Sequence, residues 1–177
     1  MGIFETFFPA RRRRREAAAR WHHWILSAAR DPRPYQKGWV QDTRDGRFQM
    51  VTLISTLVLR RLRECDVDGR QLADQVYKVV FSDFDYALRE EGVGDSSIAR
   101  KIRRLGEEFF GLARAIDQAL SAADPETAIK TVAVKNQIVS EAQASDVAVW
   151  LIHINSYLQT TDNNSALAGL DEKYSML

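Results

Sequence analysis

Apolar residues recur three and four positions apart along most of the chain, with no run of strict alternation, so the sequence predicts helices throughout. The most regular stripe is Ile98, Ile102, Leu105, Phe109, Leu112, Ile116 and Leu120. A second stripe precedes it at Ala73, Val76, Tyr77, Val80, Phe84, Ala87 and Leu88, and ends at Gly92, Val93 and Gly94, where a left-handed residue costs little. Asp95 or Ser96 can then cap the free amides of the next helix. Residues 81–112 therefore read as a helical hairpin, the unit around which the chain is organised. Its first arm carries Asp83, Asp85, Glu90 and Glu91 and its second opens with Arg100, Lys101, Arg103 and Arg104. These charges either pair within the hairpin, for about 0–1 kcal/mol each on a surface, or face a partner.

The remaining segments follow the same period. Ala17, Ala18, Trp21, Trp24, Ile25 and Ala28 mark a helix that Asp31, Pro32, Arg33 and Pro34 should end. A connector follows over 35–46, with Trp39 and Val40 turned inward and Asp42 or Thr43 placed to bond nearby amides. Phe48, Val51, Ile54, Val58 and Leu62, widened by Met50, Leu53 and Leu57, leave so little polar surface that this helix belongs at the centre of a bundle. Arg60, Arg61 and Arg63 suit the negative end of its dipole. After a turn over 66–69 the next helix should begin near Gln71. Asp124 before Pro125 signals another start, with residues 137–139 a candidate extension of that helix. A last long helix over 145–159 buries Val147, Trp150, Leu151, Ile154 and Leu158, and the tail beyond it is either a short docked helix or disordered. The fold expected is all-α, a single-domain bundle of about six to seven helices. Within it the pattern separates a basic amphipathic N-terminal helix (1–30), a helical domain (31–160) and a polar C-terminal tail (161–177).

Composition sharpens this picture only locally. A chain of 177 residues, 45% hydrophobic and 28% charged, is an ordinary globular protein with enough length to bury a core. The net charge of +1 conceals an unbroken run of Arg11, Arg12, Arg13, Arg14 and Arg15 between Phe7 and Phe8 on one side and Trp21 on the other. Aromatics beside a basic run suit anionic lipid or a phosphate-rich partner such as ribosomal RNA, and five arginines at about 1 kcal/mol each supply several kcal/mol of salt-sensitive attraction. The competing reading is a solvated helix end. Cys65 stands alone, which excludes an intramolecular disulfide and fits a reducing compartment. No apolar stretch reaches the roughly 18–20 residues of a membrane span. The arginines follow the short N-terminal apolar piece, the reverse of a signal peptide, and Met1-Gly2 with Thr6 meets only the permissive minimum for myristoylation.

Chemistry-bearing motifs are missing: there is no phosphate loop, nucleophile elbow, helical His-Glu-His pattern or cysteine pair. Adjacent His22 and His23 point apart on a helix, as do Asp83 and Asp85. A catalytic residue, a metal site and a cofactor are not expected.

Three ordered segments resemble the ubiquinol–cytochrome c chaperone family, the Cbp-type assembly factors of respiratory complex III. They are Asp42-Thr43-Arg44-Asp45-Gly46-Arg47-Phe48; Leu57-Val58-Leu59-Arg60-Arg61-Leu62; and a longer stretch. The last comprises Phe81-Ser82-Asp83-Phe84-Asp85, Leu88-Arg89-Glu90-Glu91-Gly92-Val93-Gly94-Asp95 and Lys101-Ile102-Arg103-Arg104. The likeness covers about 35–115. It departs from the family at Ser55, where a histidine is frequent, and Lys135-Asn136 stands where an arginine–asparagine pair is usual. The resemblance implies an assembly chaperone, not an enzyme, that binds newly made cytochrome b without a small-molecule substrate. It implies work at the cytoplasmic face of a bacterial inner membrane, or on the matrix side in a mitochondrion. The arginine run would meet an anionic membrane or a ribosome near its exit tunnel, and a small partner subunit could bind alongside.

Client contact is then expected on the hairpin, at Phe81, Asp83, Phe84, Asp85, Arg89, Gly92, Gly94, Asp95, Lys101 and Arg103, with Asp42, Asp45, Arg47 and Phe48 at its edge and Tyr86 available. A nucleic-acid- or ribosome-binding helical module without chaperone activity is the alternative, and a helical oligomerisation scaffold a third.

Overall fold

A computed structural model describes residues 9–90 and 94–170, and every element in them is helical. In chain order these are α1 (Pro9–Ala29), α2 (Pro32–Gln36), α3 (Arg44–Glu64), α4 (Val67–Glu90), α5 (Asp95–Leu120), α6 (Pro125–Lys135), α7 (Ala144–Thr160) and α8 (Asn163–Ala168), with a 3-10 turn at Glu141–Gln143. Two of them, α2 and α8, are single short turns, so six helices of the described residues carry the bundle.

The helix read as central is central. Every residue of 52–59 is buried, and α1, α4, α5, α7 and α8 all pack on α3. Of its buried hydroxyls, that of Thr56 donates to Thr52 O at 2.8 Å inside the helix, whereas those of Thr52 and Ser55 are buried without a hydrogen-bond partner among the described residues. Trp21, Trp24 and Ile25 of α1 are fully buried, and Tyr157 stacks on Trp24 at 6.3 Å. Trp39 and Val40 turn inward as expected.

Several boundaries shift, each for a local reason. The proline pair does end α1, but Asp31 also starts α2, its buried carboxylate accepting from Arg33 N at 3.0 Å and from the Arg33 guanidinium at 2.6 Å. α4 begins at Val67 instead of Gln71, because the Asp66 carboxylate accepts from Asp68 N at 2.9 Å and caps a turn the apolar period does not mark. α5 has Gly94, not Asp95 or Ser96, as its N-cap residue. α6 stops at Lys135, where Asn136 caps it and Gln137 adopts φ 56°, so 137–139 leave the helix while Ile138 and Val139 still pack into the core. Arg61 does more than favour a dipole: it is buried and donates to Thr161 O at 2.6 Å and Asn163 Oδ1 at 2.8 Å, tying α3 to the start of α8. Of the two readings of the tail, the docked helix holds over Asn163–Ala168. The aromatic lead at 3–8, the glycine turn at Gly92 and the end of the tail lie outside the described residues.

Candidate functional site

The start of α3, the end of α4 and the first two-thirds of α5 line an open groove of about 570 Å³, to which Leu26 of α1 and Asn136 after α6 also contribute. The α3 wall is built by a tight entry. Thr43 Oγ1 accepts from Gly46 N at 3.2 Å, and Gly46 itself is packed against Gln41 O and Val40 so closely that any side chain there would clash. That entry projects Arg44, Asp45, Arg47 and Phe48 towards the groove. Phe48 meets Phe84 of α4 at 5.0 Å, and with Val51, Leu88, Leu105 and Leu112 they make an apolar floor. Ala87, small and exposed, leaves the room between them.

The rim is charged, and several of its arginines pair locally. Arg47 donates to Asp42 Oδ1 at 2.7 Å, a bond that holds the Asp42 carboxyl below the usual carboxylate range. Arg44 lies 3.7 Å from Asp45 and Arg104 3.4 Å from Glu108. Opposite charges on the two arms of the hairpin were one expected pairing; among the described residues, pairs run within each helix, Arg89 to Asp85 at 2.8 Å and Arg103 to Glu107 at 3.3 Å. The cause is spacing, since residues four apart on one helix already lie side by side.

Of the residues expected to meet a client, the groove gathers Asp45, Arg47, Phe48, Asp83, Phe84 and Lys101, with Asp42 just behind Arg47. Phe81 packs behind the floor, against Phe84, Tyr77 and Phe109. Asp85, Arg89 and Arg103 take no part in lining the groove, nor does exposed Gly94. Gly92 and the side chain of Asp95 fall outside the described residues. Sequence reasoning passed over Leu26, Gln49, Arg104, Glu108 and Asn136 as site residues. Arg104 and Glu108 were findable, because with Lys101, Leu105 and Leu112 they share one face of α5.

Asp83 also borders a second, shallower hollow with His22, Lys78 and Tyr86 between α1 and α4. His22 Nε2 sits 3.4 Å from Asp83 Oδ2 without a well-aligned hydrogen bond. Burial lowers the His22 pKa from its ordinary value, and Asp83 offsets this only in part. At the N-terminus Arg11, Arg12, Arg13 and Arg15 are exposed, while Arg14 reaches Asp68 at 3.3 Å. Among the described residues there is no cluster of side chains suited to a metal ion and no helix long and apolar enough to cross a membrane.

No curated protein matches the chain. A crystal structure of the Cbp3 homolog from Brucella abortus superimposes with a TM-score of 0.83 at 26% sequence identity, over 99% of this chain and 97% of that one. The family model for the ubiquinol–cytochrome C chaperone matches residues 36–170, a span that takes in the whole of the groove except Leu26. On that match the chain belongs to the ubiquinol–cytochrome C chaperone family.

Proposed function

We propose that this chaperone holds newly made cytochrome b in the groove between α3, α4 and α5 while ubiquinol–cytochrome c reductase is assembled. One observation carries the reading: two of the three segments that resemble the family, at 42–48 and 81–104, are far apart in sequence and form opposite walls of one open, apolar-floored groove. Such a surface suits a hydrophobic client, because a groove left unfilled by the protein's own side chains gains most from burying a partner's.

The arginine run supplies a second, separate contact. α1 begins with cations and has no acidic residue in its first turn, an order that works against the helix dipole by about 0.3–1 kcal/mol per charge near the end. An anionic membrane surface would reverse that penalty and keep the groove beside the bilayer where cytochrome b is inserted. In this reading residues 1–30 attach and 31–160 hold the client.

Reversing Lys101 and Arg104 to glutamate together tests the client site. The expected result is loss of b-type haem absorbance from membranes with the chaperone still folded; normal haem content would refute it. For the arginine run, replacing Arg11, Arg12, Arg13 and Arg15 by glutamine should abolish low-salt co-sedimentation with anionic vesicles. Unchanged vesicle binding, or loss of ribosome binding alone, would count against the membrane contact.

A further inference from the structure

The walls of the groove specify the shape that fits between them. On α5 the lining residues Lys101, Arg104, Leu105, Glu108 and Leu112 are three and four apart and span about 16 Å of helix. On α4, Asp83 and Phe84 are followed one turn later by Ala87 and Leu88. Two adjacent helices that each leave such a seam open present ridges and hollows complementary to a third helix. A strand or an irregular segment would not repeat at that period.

The rim then restricts which helix. A helix apolar on all sides, such as a membrane span, would cover the charged groups of the rim and replace none of their water, an unfavourable exchange. An amphipathic helix leaves the rim wet. The charge inventory goes one step further: Arg44 has Asp45, Arg47 has Asp42 and Arg104 has Glu108, while Asp83 lies beside His22, an imidazole whose charging burial disfavours. Lys101, half-buried on the groove wall, has no ion pair or hydrogen bond among the described residues, so it is a cation that the groove leaves without a partner.

We propose that the groove seats an amphipathic, extramembrane helix of the client, about three turns long, with its apolar side on the floor and a carboxylate over Lys101. This rests on the reading of the groove as the client site and adds the class of segment that enters it.

The test uses the full chain and three fluorescent peptides of about 18 residues, five helical turns. Each carries the same leucine stripe, and they differ at one border position, which is Glu, Gln or Lys. At low salt the Glu peptide should bind about fivefold more tightly than the Gln peptide, the order of a single exposed ion pair, with the Lys peptide weakest. Lys101→Glu should invert the order of the Glu and Lys peptides, and Ala87→Trp, which fills the groove, should weaken all three. Equal binding of the Glu and Gln peptides, an order unmoved by Lys101→Glu, or no binding by any of them overturns the proposal. Co-purification of cytochrome b lost on Ala87→Trp would still uphold the groove as the client site. Cytochrome b retained by that variant would instead remove the reading beneath it.

Discussion

Where α1 meets α8, side chains reach from one element to another. Trp21 Nε1 donates to Ala166 O at 2.8 Å, Arg20 to Ala168 O, and Gly169, at φ 84°, brings the chain so close to Ala17 O that a side chain would not fit. Arg61 adds its bonds to Thr161 and Asn163 a short way along. Around the groove, among the described residues, arginines pair with a near neighbour in sequence: Arg47 with Asp42 and Arg104 with Glu108. A charge that crosses between elements closes the structure. One that pairs locally on the surface can change partners at a cost of about 1 kcal/mol or less, and so remains available to a client.

The contrast can be broken by substitution. Trp21→Ala should cost about 3–5 kcal/mol of folding stability in urea titration, since it removes a fully buried ring and its hydrogen bond to the Ala166 carbonyl. Arg61→Ala should cost about 2 kcal/mol by the same assay, through the acceptors it leaves at Thr161 and Asn163. Ala87→Trp, on the groove side, should stay within about 0.5 kcal/mol of the parent while client binding is lost; a stability loss as large as that of Trp21→Ala would erase the distinction between the two regions. Arg103→Glu should leave both stability and cytochrome b accumulation unchanged, in contrast to the Lys101 and Arg104 pair, because its side chain faces solvent away from the groove.

The smallest effect is one of pH. His22 has a folded pKa below its ordinary value because burial disfavours the imidazolium. The unfolded chain therefore binds a proton first as pH falls, so the stability that His22 contributes is fully present above about pH 6.5 and decreases below it, down through the folded pKa. His22→Gln should flatten that slope in denaturation curves taken between pH 7.5 and about 5; an unchanged slope would assign it to other groups.

Most of the fold was legible because long helices with a continuous apolar stripe leave few alternatives. α3 is the clearest instance: a segment with almost no polar face has nowhere to go but the centre, and it is there. Boundaries that depend on a single side chain were less legible. Asp66 adds a turn to α4 and Asp31 makes α2 out of what read as a breaker, both through short-range bonds that periodicity does not register.

The groove divides along the same line. Spacing places Lys101, Arg104, Leu105, Glu108 and Leu112 on one face of α5, but whether that face is covered is decided by how α3 and α4 pack beside it, which spacing within α5 does not register. Arg103, chosen with Lys101 as part of one basic run, points elsewhere because helical positions two apart diverge by about 200°. Asn136 reaches the groove wall as the C-cap residue of α6, just before the left-handed Gln137, a feature no apolar pattern announces.

Site-specific photo-crosslinking to newly made cytochrome b tests the central claim most directly. A photoreactive side chain at Gln49, on the groove wall, should form an adduct, whereas the same group at Val149, exposed on α7 away from the groove, should form none. Adducts at Val149 with none at Gln49 would contradict the groove as the place where the client is held.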